Sequence, residues 1–250
     1  MIKIEHLTKK FADLVAVNDI SLEVGAGEIF GFLGPNGAGK TTTVKILTGL
    51  MKPTSGRVLI GGYDVARDPL AAKRIMGMVP DEPFVYPKLT GIEFLRFIGS
   101  LYGVPFETQK KRIPEFLEMF ELSNWGTELL ESYSHGMRQK IVIAGMLLHD
   151  PKVVVLDEPM VGLDPKSARL VKDIFLRLAK RGATIFMCTH ILEIAEKLCG
   201  RIGIMIDGKI IALGTLEELR LKAARQDHTL EDVFLSLTGG TEYASLLKNL

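Results

Sequence analysis

The sequence predicts an α/β fold built on a buried, largely parallel sheet, with a helical segment set into it. Three observations predict this. Short β-branched runs alternate with longer segments of helical period. Several of those runs are apolar from end to end, the pattern of strands covered on both faces. From about Thr90 to Glu131 the alternation stops, and the pattern is helical almost throughout. With 250 residues, 47% of them hydrophobic, the chain can bury a sizeable core.

In chain order, strands are predicted at residues 2–7, 20–24, 29–33, 57–60, 153–156, 184–188 and 201–206. Helices are predicted at 40–50, 91–102, 136–149, 167–181 and 191–198, with glycine and proline collected between the segments. In the helical stretch Pro105 opens a segment. Pro114 is predicted to kink or split the next one, because it removes a backbone donor and crowds the preceding turn. Asp207-Gly208 predicts a hairpin turn into residues 209–213, followed by short helices.

Lys plus Arg at 31 against Asp plus Glu at 30 leaves a net charge of +1. Bulk electrostatics therefore call for neither nucleic acid nor an anionic membrane as partner, and any phosphate site must be local. Cys188 and Cys199 sit in apolar company without ligand-like spacing, which predicts free thiols in a reducing compartment. The first residues lack an apolar stretch with a cleavage site, and no run approaches the roughly 18 apolar residues that span a bilayer. A cytoplasmic protein is predicted.

Gly34-Pro35-Asn36-Gly37-Ala38-Gly39-Lys40-Thr41 fits G-x-x-x-x-G-K-[ST], follows an apolar run and opens a helical one. In that setting glycines let backbone N–H groups converge on the β- and γ-phosphates of a nucleotide. Lys40 adds a positive charge there, and Thr41 offers its hydroxyl to Mg²⁺. Val153-Val154-Val155-Leu156-Asp157-Glu158 is a buried strand ending in two carboxylates. A parallel strand delivers such side chains at its carboxyl end, beside the phosphate loop. Asp157 is predicted to hold Mg²⁺, directly or through water, and Glu158 to orient or deprotonate the attacking water. No N-K-x-D base-reading motif is present, so the nucleotide is read as ATP.

With these residues in place the chain resembles the ATP-binding cassette ATPases. Tyr133-Ser134-His135-Gly136-Met137-Arg138-Gln139-Lys140 is similar to the family's signature, usually L-S-G-G-Q. Gly162-Leu163-Asp164-Pro165 resembles its D-loop, and His190 its switch histidine. Phe11 stands where the family places an aromatic against adenine. The run Leu230-Glu231-Asp232-Val233-Phe234-Leu235 is similar to tails of ABC-2 type exporter subunits.

The resemblance implies a RecA-like P-loop NTPase core with an antiparallel β subdomain over residues 1–215. It also implies a helical subdomain inserted at about 90–149 and a C-terminal helical tail at 216–250. ATP and Mg²⁺ are the implied cofactors. Gly34 to Thr42, Phe11, Asp81, Ser134, His135, Gly136 and Asp164 would bind nucleotide. Thr41, Asp81 and Asp157 would face the metal, and Glu158, His190 and Lys40 would serve catalysis. The implied assembly is a head-to-tail dimer, from two copies or from a related pair, on a polytopic membrane permease at the cytoplasmic face, with no nucleic acid partner.

Three positions depart from the pattern: Asp81 replaces the glutamine of the Q-loop, His135 replaces a signature glycine, and Met137 replaces its glutamine. Asp81 keeps an oxygen ligand but loses an amide donor. Two other readings stay open: an ABC ATPase acting away from membranes, and a regulatory module that binds ATP with little hydrolysis.

Overall fold

The structure, a computed structural model, describes residues 1–222 and 229–238. An antiparallel sheet is made of β1 (Ile2–Phe11), β2 (Leu14–Val24), β4 (Ser55–Ile60) and β5 (Tyr63–Asp64), ordered β2-β1-β4-β5. A second sheet of six strands is ordered β10-β9-β3-β8-β7-β6: β3 (Ile29–Leu33), β6 (Met76–Val79), β7 (Val153–Asp157), β8 (Thr184–Cys188), β9 (Arg201–Ile206) and β10 (Lys209–Gly214). All its pairings are parallel except β9 with β10. The chain thus has the α/β fold with the antiparallel subdomain that the resemblance implied.

Strands β3, β7 and β8 are buried at every position, which is why they read as continuous apolar runs. Successive side chains still point to opposite faces. Val153, Val155, Phe186 and Cys188 join a core with the antiparallel sheet and with Val44 and Leu47 of α1 (Lys40–Leu47). Val154, Leu156, Ile185 and Met187 face the other way, onto α5 (His135–Leu148) and α6 (Pro165–Lys180).

Between β6 and β7 lie α3 (Gly91–Leu101), α4 (Phe106–Met119) and α5, joined through buried Phe94, Leu95, Ile113, Phe116, Ile141 and Leu148. Thr90 opens α3 with a reciprocal cap: its hydroxyl accepts from the Glu93 N–H, and the Glu93 carboxylate accepts from the Thr90 N–H. Pro114 does not split α4, which continues to Met119. The ring sits on the exposed face, so the Lys110 carbonyl that loses its helical donor is left to water rather than buried.

The hairpin at Asp207-Gly208 is as predicted, with both residues at positive φ (46° and 77°), the conformation that matches a tight turn to strand twist. The two-residue strand β5 was not foreseen, nor were two further elements. Helix α2 (Pro69–Arg74) is short, and β6 is a four-residue edge strand carrying Gly77, where any Cβ would meet Met146 of α5. Downstream, α7 (Leu192–Leu198), α8 (Leu216–Lys222) and α9 (Leu230–Thr238) share a small core of Leu33, Ala195, Leu219, Leu230 and Val233. Of the tail, residues 223–228 and 239–250 lie outside the described residues.

Candidate active site

The sheet order collects the site. β8 lies between β3 and β7, and β6 follows β7, with Phe32 opposite Cys188, Cys188 opposite Asp157, and Leu156 opposite Val79. The carboxyl ends of these four strands therefore open on one side, where α/β sheets bind ligands. A cavity of about 490 Å³ there is lined by Gly34, Pro35, Asn36, Lys40, Thr41, Asp81, Asp157, Glu158 and His190.

The phosphate loop turns on residues without side chains. Gly39 has φ of +108°, and a Cβ there would strike the Ala16 carbonyl; one on Gly34 would strike that of Met205. Gly39 caps α1 without a side-chain bond, leaving the first N–H groups of the helix aimed at the cavity. Lys40 is buried and donates from Nζ to the carbonyls of Gly34 (2.6 Å) and Pro35 (3.0 Å). Its charge is thus held at the loop, and phosphate oxygens can replace the carbonyls as acceptors.

Burial pushes the carboxyl of Asp157 up to about 6, helped by the negative charges of Asp81 and Glu158 and opposed by Lys40 and Lys45. Three carboxylates line one cavity, with Thr41 beside them. That oxygen set fits Mg²⁺, which is held by one or two carboxylates together with phosphate oxygens and waters. Bound there, the ion would neutralise charge on the phosphates.

Glu158 is the most constrained member. Its φ of +49° lies in the left-handed region, at a cost of about 1–3 kcal/mol for a residue with a Cβ. Its N–H extends the β7–β8 ladder to the Cys188 carbonyl at 2.9 Å. Its carboxylate accepts from the Thr189 hydroxyl on Oε2 (3.0 Å) and from the His190 N–H on Oε1 (2.8 Å), with His190 Nδ1 also 2.8 Å from Oε1. Thr189 was not singled out from the sequence, although a hydroxyl between Cys188 and His190 at a strand end was a usable signal. Val161, Leu192 and Phe234 also line the cavity, and only the folded chain brings them there.

Phe11 lines a second cavity of about 440 Å³ on the other flank of the phosphate loop, with Val15, Ala16, Gly37, Gly39 and Thr42. Lys9 Nζ lies over its ring. Ala38, also of the loop, is buried.

The remaining predicted residues are elsewhere. Ser134, His135, Gly136 and Asp164 line neither cavity. Ser134 caps α5, accepting from the Met137 N–H at 3.3 Å, and the preceding Tyr133 is anchored by its hydroxyl on the Trp125 carbonyl. Burial raises that phenol to about 12. Asp164 caps α6: the Ser167 hydroxyl and N–H, with Lys140 behind them, hold its carboxyl well below the usual range. Cys188 and Cys199 are free, and burial raises both thiols.

A family model described as ABC transporter matches residues 17–161, from β2 through the loop after β7. The chain belongs to the ABC transporter ATP-binding family. This ABC ATPase is 39% identical over 219 residues to the linearmycin resistance ATP-binding protein LnrL of Bacillus subtilis (strain 168), covering 88% of this chain and 70% of that one. It is 36% identical over 219 residues to the daunorubicin resistance ATP-binding protein DrrA3 of Streptomyces coeruleorubidus, covering 88% and 69%. Other relatives are longer: the chain spans 41% of the Escherichia coli (strain K12) ATP-binding protein YbhF, at 36% identity.

Among solved structures, one described as the ATP binding subunit of an ABC transporter superposes with a TM-score of 0.91 at 32% identity, covering 95% of this chain and 99% of the other. A dimeric cassette, MJ0796, in a post-hydrolysis state bound to ADP and phosphate, superposes at 0.79 with 27% identity, covering 86% and 99%. The chain is an ATPase.

Proposed function

We propose that this ATPase powers an exporter, hydrolysing ATP as a head-to-tail dimer at the cytoplasmic face of a membrane, against a separate polytopic permease. The dimer is formed by two copies or by a related pair. The observation that carries the reading is a division within the chain: Lys40, Thr41, Asp81, Asp157, Glu158 and His190 share one cavity, while Ser134, His135 and Gly136 lie outside it. In this reading, a cavity with a phosphate loop and a base that the Ser134 loop does not line is half a site. The Ser134 loop at the start of α5 is the missing half, offered to a second chain. The dimeric MJ0796 cassette supports that arrangement, and the resistance names of LnrL and DrrA3 support export. No helix among the described residues is long and apolar enough to cross a membrane, and this reading places the path in a permease.

In this reading Phe11 covers adenine and the N–H groups from Gly34 to Thr42 hold the phosphates. Lys40 exchanges the carbonyls of Gly34 and Pro35 for phosphate oxygens. Thr41, Asp157 and Asp81 hold Mg²⁺. Glu158, oriented by Thr189 and His190, takes a proton from the water that attacks the γ-phosphorus as the bond to ADP breaks. Loss of the bridging γ-phosphate releases the Ser134 donors, and the dimer opens. Asp164 closes the turn beside the Ser134 loop.

Glu158→Gln tests the assignment of the base. ATP binding is retained, hydrolysis falls by about 10²–10⁴, and an ATP-bound dimer accumulates on gel filtration with Mg-ATP. Hydrolysis at the parent rate would remove Glu158 from that role.

A further inference from the structure

Three contacts bind the first turns of α5 to the loop that follows Glu158 in the same chain. A Cβ on Gly136 would lie 2.6 Å from the Gly162 carbonyl oxygen, so the two backbones meet directly. Lys140 Nζ stands 3.4 Å from Asp164 Oδ2. Between them is Gln139, wholly buried, which donates from Nε2 to the Pro159 carbonyl at 3.1 Å. Its Oε1 is buried without a partner among the described residues.

A half-satisfied buried amide is a poor space filler, since an apolar side chain of similar volume would leave no orphaned acceptor. The amide does one thing such a side chain cannot: it fixes the carbonyl of the residue directly after Glu158. Glu158 needs fixing, because its own positive φ is held only by its surroundings. On the sheet side the Glu158 N–H is tied to Cys188. On the helix side Gln139 ties Pro159. Together they clamp the backbone that aims the carboxylate.

We infer that Gln139 is a positioning residue for hydrolysis: through Pro159 it sets the direction of the Glu158 carboxylate, and it anchors that setting on the helix that begins at Ser134. The inference rests on Glu158 being the base. Gln139 itself lines neither cavity. Its loss therefore acts on the rate of the chemical step, while the phosphate loop that binds ATP is unchanged.

Two substitutions test it in the full chain. Gln139→Met keeps length and volume without the donor, and Gln139→Glu keeps the shape with a carboxylate facing the Pro159 carbonyl. Steady-state phosphate release is measured against ATP concentration, with thermal unfolding and Mg-ATP gel filtration alongside. The inference predicts that kcat falls about tenfold in both, while KM for ATP stays within twofold and nucleotide-dependent dimerisation is retained. A folded variant with parent kcat overturns it. So does a parallel loss of thermal stability, ATP affinity and dimerisation, or failure of both variants to fold, because Gln139 then serves the fold rather than Glu158. The Glu158→Gln assay separates the two layers: parent-level hydrolysis there removes the base, whereas parent kcat in the Gln139 variants removes only the positioning.

Discussion

Thr189 Oγ1 donates to Glu158 Oε2 across 3.0 Å, from the end of one strand to the end of its neighbour. The hydroxyl is nearly inaccessible to solvent, and the carboxylate it meets is largely so. One oxygen of the proposed base is therefore committed to a fixed donor, and the other meets His190. Thr189→Val keeps the β-branched shape and removes this bond. A hydrogen bond to a charged group is worth about 1.5–3 kcal/mol, so kcat is expected to fall about 10- to 100-fold with KM for ATP little changed. Phosphate-release kinetics check this, and equal losses in kcat and ATP affinity would point to general damage instead.

Asp81, which the resemblance reads as replacing a Q-loop amide, lines the cavity with Asp157, and its charge acts on that carboxyl. A carboxylate near the phosphates repels them until a cation lies between, whereas an amide does not. Asp81→Gln is therefore expected to bind ATP more tightly than the parent without Mg²⁺, shrinking the effect of Mg²⁺ on affinity about tenfold. Titration with a fluorescent ATP analogue, with and without Mg²⁺, checks it; an unchanged Mg²⁺ response places Asp81 outside the metal's reach.

The raised carboxyl of Asp157 makes a prediction about stability. Its native value of about 6 lies above the 3.8 of the free group, so native Asp157 binds its proton more tightly than the unfolded chain does. That stabilisation is full below about pH 3.8 and is lost as pH rises through about 6. Asp157→Asn removes the penalty. In Mg²⁺-free, nucleotide-free buffer the variant is expected to melt about 2–4 °C above the parent at pH 7.5, with the gap closing toward pH 4, while hydrolysis is lost. Scanning fluorimetry across pH reads both; a parent more stable at pH 7.5 would contradict the charge crowding.

The sheet and most of the candidate site were legible because burial on both faces leaves a plain mark: the apolar runs of β3, β7 and β8, each followed by residues that line the cavity. Strand β6 left no such mark. It is four residues long, lies at the sheet edge and carries a glycine for contact with α5, so neither length nor alternation announces it. Pro114 misled for a related reason, since the rule against proline in helices assumes that the freed carbonyl has nowhere to go, and here it faces solvent. Thr189 and Gln139 escaped because their roles depend on partners across the fold, at Glu158 and Pro159. Sequence spacing carries no trace of such pairs.

The sharing of each site between two chains is the centre of the account, and mixing two inactive variants tests it most directly. Lys40→Ala disables the phosphate loop, and Ser134→Arg blocks the signature loop by bulk, so each homodimer carries two damaged sites. In a mixed dimer the phosphate loop of the Ser134→Arg chain meets the intact Ser134 loop of the Lys40→Ala chain, giving one complete site opposite one doubly damaged site. Phosphate release from an equal mixture, with heterodimers demonstrated by differential tags, is predicted to recover part of the parent rate. Undiminished activity of the Ser134→Arg homodimer would contradict the account, because a loop that meets the opposing nucleotide cannot take that side chain and keep its donors in place.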